Sequence, residues 1–301
     1  MTTEMPDVGA TDAGGEMTDG AADLVLVGFD GSRDAARAIA TAALLLPQMA
    51  ARVVTVWAPV SPDPVLRHRV TRLAHTLDRL GVLMEQESAA DAQQTAAAGA
   101  ALARAAGWSS EPATHRAHAD PGAVLAGIAG DLHPRALVVG SRGLGGTAAI
   151  MGSVSDLAVH HSPVPVLVVP PLLSHERAAA ATGPVVVGHD GSPGAEHART
   201  VAAALLPHRD QVLAHVHAGS TTEPAGDVPA GAIDLRAHGW GARAVANALD
   251  TAAADRDAAV VVVGSRGRSA LREMVLGSTA MAVLHHVHRP ILVVPSHPSE
   301  G

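Results

Sequence analysis

Cysteine is absent from the 301 residues. Disulfides, thiolate nucleophiles, iron–sulfur clusters and Cys-based zinc sites are therefore excluded. Lysine is absent as well, all 21 basic side chains being arginine. This removes the phosphate loop that ends in Gly-Lys-Ser/Thr, Schiff-base chemistry and every lysine general base. There is no tyrosine, one phenylalanine (Phe29) and three tryptophans (Trp57, Trp108, Trp240), too few aromatics for stacking platforms on single-stranded nucleic acid. No apolar run approaches the roughly 20 residues that span a bilayer. The core is left to Val, Leu, Ile and Ala.

The formal net charge is −8, which argues against a surface that tracks polyphosphate. Glu4, Asp7, Asp12, Glu16 and Asp19 stand in the first 22 residues with no basic partner. That segment has neither the basic start nor the apolar run of a signal peptide, and is predicted to be a disordered acidic tail. The expectation is a cytoplasmic protein with no nucleic-acid or membrane partner. A length prior of roughly 150 residues per domain suggests two domains.

The chain is written twice. Leu24-Val25-Leu26-Val27-Gly28-Phe29-Asp30-Gly31-Ser32 returns as Val185-Val186-Val187-Gly188-His189-Asp190-Gly191-Ser192, and Leu137-Val138-Val139-Gly140-Ser141-Arg142-Gly143 returns as Val261-Val262-Val263-Gly264-Ser265-Arg266-Gly267. Each second phrase leads to a Gly-Ser pair, Gly152-Ser153 or Gly277-Ser278, then to paired histidines, and each copy closes on a Val-rich run between prolines. Asp30 and Gly140 are 110 residues apart but Asp190 and Gly264 only 74, so the second copy is 36 residues shorter between these anchors.

Short Val/Leu runs alternating with amphipathic segments predict βαβ units around a parallel sheet. Strands are expected near 24–28, 52–57, 112–118, 136–140 and 165–169, and near 184–188, 211–217, 232–236, 259–264 and 290–294. Helices are expected near 34–46, 90–106, 121–131 and 153–161, and near 194–206, 240–253 and 278–286. The shortening removes most of the helix between the second and third strands of the second copy. The predicted domains are 23–170 and 183–296, with a linker over 171–182 and a tail over 297–301.

Asp-Gly-Ser at a strand end admits two readings. Ser32 or Asp34, and Ser192, suit helix N-caps. Asp30 and Asp190, at the carboxyl ends of parallel strands, stand where open α/β sheets bind ligands, and suit a ribose hydroxyl or a divalent metal. In Gly-Ser-Arg-Gly two glycines let the backbone approach a ligand. The following Gly-Ser opens a helix whose free N–H groups and positive dipole end suit a phosphate, and Arg142 or Arg266 adds a charged donor. The same glycines also serve as plain turn and cap residues.

Gly264-x2-Gly267-x9-Gly277-Ser278 behind an Asp-Gly-Ser turn resembles the nucleotide-binding pattern of the universal stress protein family, over about residues 23–170 and 183–296. The resemblance implies two tandem Rossmann-like domains of the adenine nucleotide alpha hydrolase type, each a five-stranded parallel sheet of order 3-2-1-4-5, holding ATP, with Mg²⁺ as a candidate companion. It implies Asp190 at the adenosine part, Val216 meeting adenine through its backbone, Gly264, Arg266, Gly267, Gly277, Ser278 and Thr279 around the phosphates, and Ser192 as a further candidate contact. The matching first-copy positions are Asp30, Ser32, Val56, Gly140, Arg142, Gly143, Gly152, Ser153 and Val154. Eight residues, not nine, separate Gly143 from Gly152. In a helical stretch such a deletion turns the downstream residues by about 100°, so the second copy is favoured for phosphate. The resemblance also implies edge strands near 165–169 and 290–294 pairing as an intramolecular pseudo-dimer, with a further homodimer left open.

The leading expectation is a non-catalytic, ATP-binding regulatory stress protein. A slow Mg-dependent ATPase or nucleotide transferase and a scaffold with vestigial sites are the alternatives. No Gly-x-Ser-x-Gly elbow supports a serine hydrolase. His215 and His217 share a strand face and read as a metal pair or, in preference, as strand-end residues beside the cleft. The paired histidines 160–161 and 285–286 suit helix C-termini, and Arg67, Arg69, Arg72 and Arg79 a solvated helix face.

Overall fold

The computed structural model describes residues 23–59, 64–73, 76–141, 152–217, 231–267 and 276–296. The acidic tail 1–22, the tail 297–301 and the candidate residues Arg142 and Gly143 lie outside the described residues.

The first half runs β1 (Leu24–Gly28), α1 (Arg33–Leu45), β2 (Ala50–Trp57), α2 (Pro64–Leu73), α3 (Leu77–Ala105), β3 (Ser109–Arg116), α4 (Pro121–Leu132), β4 (Ala136–Gly140), α5 (Ser153–His161) and β5 (Val166–Val169). After α6 (Ser174–Thr182) the second half follows as β6 (Val185–Gly188), α7 (Pro193–Leu205), β7 (Gln211–His217), β8 (Ile233–Arg236), α8 (Gly241–Asp255), β9 (Val260–Gly264), α9 (Ser278–His286) and β10 (Ile291–Val294). One ten-stranded sheet has the order β3-β2-β1-β4-β5-β10-β9-β6-β7-β8. Each half is parallel in the order 3-2-1-4-5, and the halves meet where β5 pairs antiparallel with β10, Leu167 opposite Leu292.

The Val-rich strands are apolar on both faces because helices cover both. Val25, Val27 and Val138 pack with Ala38, Ile39 and Ala42 of α1, and Val185, Val187 and Val262 with Ala198 and Ala202 of α7. On the opposite face Leu26 and Val139 meet Leu125 of α4 and Ala158 of α5, and Val186 and Val261 meet Leu249 of α8 and Val283 of α9. Each fully buried Val or Leu contributes about 1.5–3 kcal/mol, and the alanine-rich helix faces let the axes lie close to the sheet. The edge strand β3 carries Pro112, whose missing N–H is tolerated there.

Three elements differ from the sequence reading. Helix α3 begins at Leu77 rather than near 90, started by Thr76, whose hydroxyl accepts the Arg79 N–H at 3.3 Å. Strand β3 sits at 109–116 rather than 112–118, because its register follows β2 from Ala50↔Ser109 onward. The linker is helical: α6 has its entry fixed by Glu176, whose carboxylate accepts the Leu173 N–H at 2.6 Å, and it buries Ala179 and Ala180. Among the described residues no helix stands between β7 and β8, and none is long and apolar enough to cross a membrane.

Candidate functional site

Strands β6 and β9 are neighbours whose carboxyl ends diverge to α7 and α9 on opposite faces of the sheet. This is the switch point at which open α/β sheets bind ligands. A cleft of about 240 Å³ opens there. Its lining includes Asp190, Val216, Gly264, Arg266, Gly267, Gly277, Ser278 and Thr279, so the structure brings together every second-copy candidate except Ser192.

The Asp190-Gly191-Ser192 turn is built locally. Gly191 takes a left-handed backbone, φ 78°. Asp190 Oδ1 accepts the Ser192 N–H at 3.0 Å, and Ser192 Oγ caps α7 by accepting the Ala195 N–H at 3.2 Å. Ser192 therefore serves the turn and the helix. Two glycines are required by close approach. A Cβ on Gly264 would lie 2.9 Å from the Gly194 carbonyl oxygen, where β9 meets the start of α7, and one on Gly267 would lie 2.8 Å from Asp190 Oδ2. The Gly277 N–H donates to the Ser265 carbonyl at 2.8 Å, closing the loop and setting the start of α9 beside Arg266 and Gly267. Free N–H groups at that helix start and the Arg266 guanidinium make this wall attractive to an anion.

Ala214 and Val216 of β7, Val245 and Leu249 of α8 and Val263 of β9 form the apolar wall. The α8 residues and Ser265 escaped the sequence reading, although the i, i+4 spacing of Val245 and Leu249 was a usable signal. The cleft thus joins an apolar wall, an acidic turn and a glycine-cradled helix start.

The first half repeats the frame. Gly31 has φ 79°, Ser32 accepts the Ala35 N–H at 3.1 Å, and Asp30 Oδ1 accepts the Ser32 N–H at 2.9 Å. Gly140 approaches Asp34 and Ala35, while Val56 packs beneath on the same sheet face as Val216. The Gly152 N–H reaches the Ser141 carbonyl at 2.8 Å, as Gly277 reaches Ser265, and Ser153 and Val154 open α5 as Ser278 and Thr279 open α9. The two contacts correspond despite the one-residue shortening, so the expected rotation is not passed to α5.

One difference between the halves traces to the missing helix. In the first half Phe29 and Val53 lie under α3, where a Cβ on Gly99 would be 2.6 Å from the Phe29 ring. In the second half His189 replaces Phe29. Its Nδ1 accepts the Gly191 N–H at 3.3 Å, which places the proton on Nε2, 3.3 Å from Glu196 Oε2. Hydrogen bonding from Arg199 first, then from His189, draws the Glu196 carboxyl down to about 2. His215 Nδ1 donates to the His189 carbonyl at 2.8 Å, its ring lies edge-on to His217 at 4.6 Å, and His217 Nε2 lies 2.8 Å from Asp234 Oδ1. These histidines serve one another and the backbone. Among the described residues no group of three or more His, Asp or Glu side chains is placed to hold a metal ion.

Fold and repeat together define a tandem α/β protein with two Rossmann-like halves. The Universal stress protein family matches residues 22–170 and 229–295, well over half of the chain, and the chain belongs to that family. The match to the second half begins beyond β6 and β7, so Asp190 and Val216 are placed by the internal repeat and the strand pairing.

Two universal stress proteins of Mycobacterium tuberculosis are 34% identical over 183 residues and 31% identical over 195 residues. The first alignment covers 52% of this chain and 60% of the relative, the second 54% and 60%; the chain thus spans less than two thirds of these curated relatives. A universal stress protein from Archaeoglobus fulgidus DSM 4304 shares the fold with a TM-score of 0.61 at 20% identity, over 92% of this chain and 98% of that one. One from Pseudomonas aeruginosa UCBPP-PA14 does so with a TM-score of 0.52 at 14% identity, over 91% and 93%.

Proposed function

We propose that the chain is an adenine-nucleotide-binding regulatory protein of the stress response, and that the second-half cleft is its principal ATP site. The observation that carries this reading is the convergence on one cleft of an acidic turn, an apolar wall and a glycine-cradled helix start. Asp190 would accept hydrogen bonds from ribose hydroxyls, and the backbone of Val216 would meet the base edge. Gly264, Arg266, Gly267, Gly277, Ser278 and Thr279 would surround the phosphates, with a divalent cation such as Mg²⁺ lowering the repulsion between phosphates and Asp190. The first half, through Asp30, Val56, Gly140, Gly152, Ser153 and Val154, offers the same frame. The antiparallel β5–β10 seam supports a pseudo-dimer in which occupancy of one half is felt by the other through the shared sheet. Regulation rather than turnover is the proposed output, because His189, the imidazole beside Asp190 in the cleft, is engaged with Gly191 and Glu196.

Titration calorimetry of nucleotide-stripped protein with Mg-ATP tests the reading. One or two equivalents are expected, with one lost in Asp190→Ala. Absence of heat in the folded, unmodified chain at several temperatures would overturn it, and phosphate release well above the Asp190→Ala background would make the site hydrolytic instead.

A further inference from the structure

Trp240 breaks a local rule that the first half obeys. Asp120, just before α4, caps that helix by accepting the Gly122 N–H at 2.9 Å. At the equivalent position before α8 stands Trp240, which supplies no side-chain cap. An Asp cap is worth about 1 kcal/mol over a residue that cannot accept. The indole is 75% exposed, the most exposed of the large apolar side chains in the described structure. The flanking Gly239 and Gly241 hold φ of +114° and +80°. The chain here gives up a cap and exposes its largest apolar side chain, a departure of the kind expected at functional sites.

Its place says what the function is. The cleft divides by chemistry: the wall from β9 and α9 offers Arg266, Ser278 and Thr279, whereas the wall from β7 and α8 offers Val216, Val245 and Leu249. Trp240 enters α8, five residues before Val245. At 1.5 Å and about 100° per residue it lies about 7.5 Å along the axis from Val245 and about 140° round from it, outside the cleft lining, so the indole reaches the cleft by turning about its side-chain bonds. Rotation of an exposed side chain takes picoseconds to nanoseconds. We propose that Trp240 is the base-stacking residue of this cleft, closing its indole over the flat aromatic end of a ligand whose anionic end lies at α9. This rests on the nucleotide reading above and adds to it the residue that recognises the base. The first half, with Asp120 in this position, lacks the contact, so the two sites differ in base affinity.

The experiment compares Mg-ATP with inorganic tripolyphosphate on the full chain and on Trp240→Ala, Trp240→Phe and Trp240→Asp. ATP is expected to change the tryptophan fluorescence of the unmodified protein, and the change is expected to fall in Trp240→Phe to what Trp57, beside Val56 of the first-half frame, contributes. Trp240→Ala is expected to weaken ATP about tenfold, the scale of one base–aromatic stack, while tripolyphosphate affinity stays constant; Phe retains most of the ATP affinity. Trp240→Asp, which restores the cap, is expected to raise the thermal midpoint of the ligand-free protein while lowering ATP affinity. Unchanged ATP affinity in Trp240→Ala would overturn the assignment and leave the site standing. So would that result with a shift in sedimentation, which would make the indole a contact between copies. Failure of the unmodified chain to bind ATP would overturn both.

Discussion

At Asp190 one carboxylate oxygen is engaged by the Ser192 N–H and the other lies against the position that a Gly267 side chain would take. Gly264 is crowded differently, by the backbone carbonyl of Gly194. The two glycines therefore respond differently to the same change. Gly267→Ala displaces only the end of one side chain; it is expected to weaken ATP binding about tenfold, a displacement worth roughly one charged hydrogen bond, with little shift in stability. Gly264→Ala pushes a strand end off the start of α7 and is expected to destabilise the fold by about 1–3 kcal/mol, the usual cost of overpacking. Parallel denaturation and calorimetry separate the outcomes, and equal stability loss in both variants would show that Gly267 is held for the fold rather than for the ligand.

Among the elements, those carried by repeated phrases were legible in the sequence. The strands β1, β4, β6 and β9 end in glycine at the phrases themselves, and the nine residues of α5 and of α9 follow their Gly-Ser pairs. The start of α3 was not, because Gly81 and a weak apolar period hide its first turns and the signal lay in Thr76 alone. Helix α6 was hidden by its position between repeats, where an Ala run reads equally as spacer. Helix α9 corrects a finer point. Its closing His285 and His286 invite the reading that protonated imidazoles favour the helix C-terminus, yet burial, then the charges of Arg243, His285 and His288, hold His286 below its ordinary 6.5. The folded state thus binds this proton less readily than the unfolded chain, so stability is full above about pH 6.5 and falls as the pH drops through that value toward the folded one. The thermal midpoint is expected to fall between about pH 7.5 and 5.5, and to fall less in His286→Gln; identical profiles would place the acid-sensitive group elsewhere.

Across the whole molecule, the seam is more than one strand pair. Leu45 and Leu46 at the end of α1 face Leu205 and Leu206 at the end of α7 across Leu167 and Leu292, leaving a void of only about 10 Å³. Two arginines cross between the halves to equivalent carbonyls: Arg135 donates to Ala204 at 2.7 Å and Arg209 to Leu44 at 3.0 Å. Arg209 also donates to Gly183, Ala180 and Ala181, so a single guanidinium joins α1 to the end of the α6 connection. Burial draws its pKa below the usual arginine value, but an arginine remains charged and its hydrogen bonds are of the stronger kind. Removing it strips donors from four carbonyls at two helix ends, whereas removing Arg135 takes away the Ala204 bond and a 3.9 Å contact with Asp23 at a more exposed place. Arg209→Ala is expected to lower unfolding free energy by about 2–3 kcal/mol and Arg135→Ala by about 1 kcal/mol or less. If β5, β10 and the leucines bind the halves into one cooperative unit, denaturant unfolding of Arg209→Ala stays a single transition displaced to lower concentration. Two separated transitions would instead show that Arg209 holds together halves able to unfold independently.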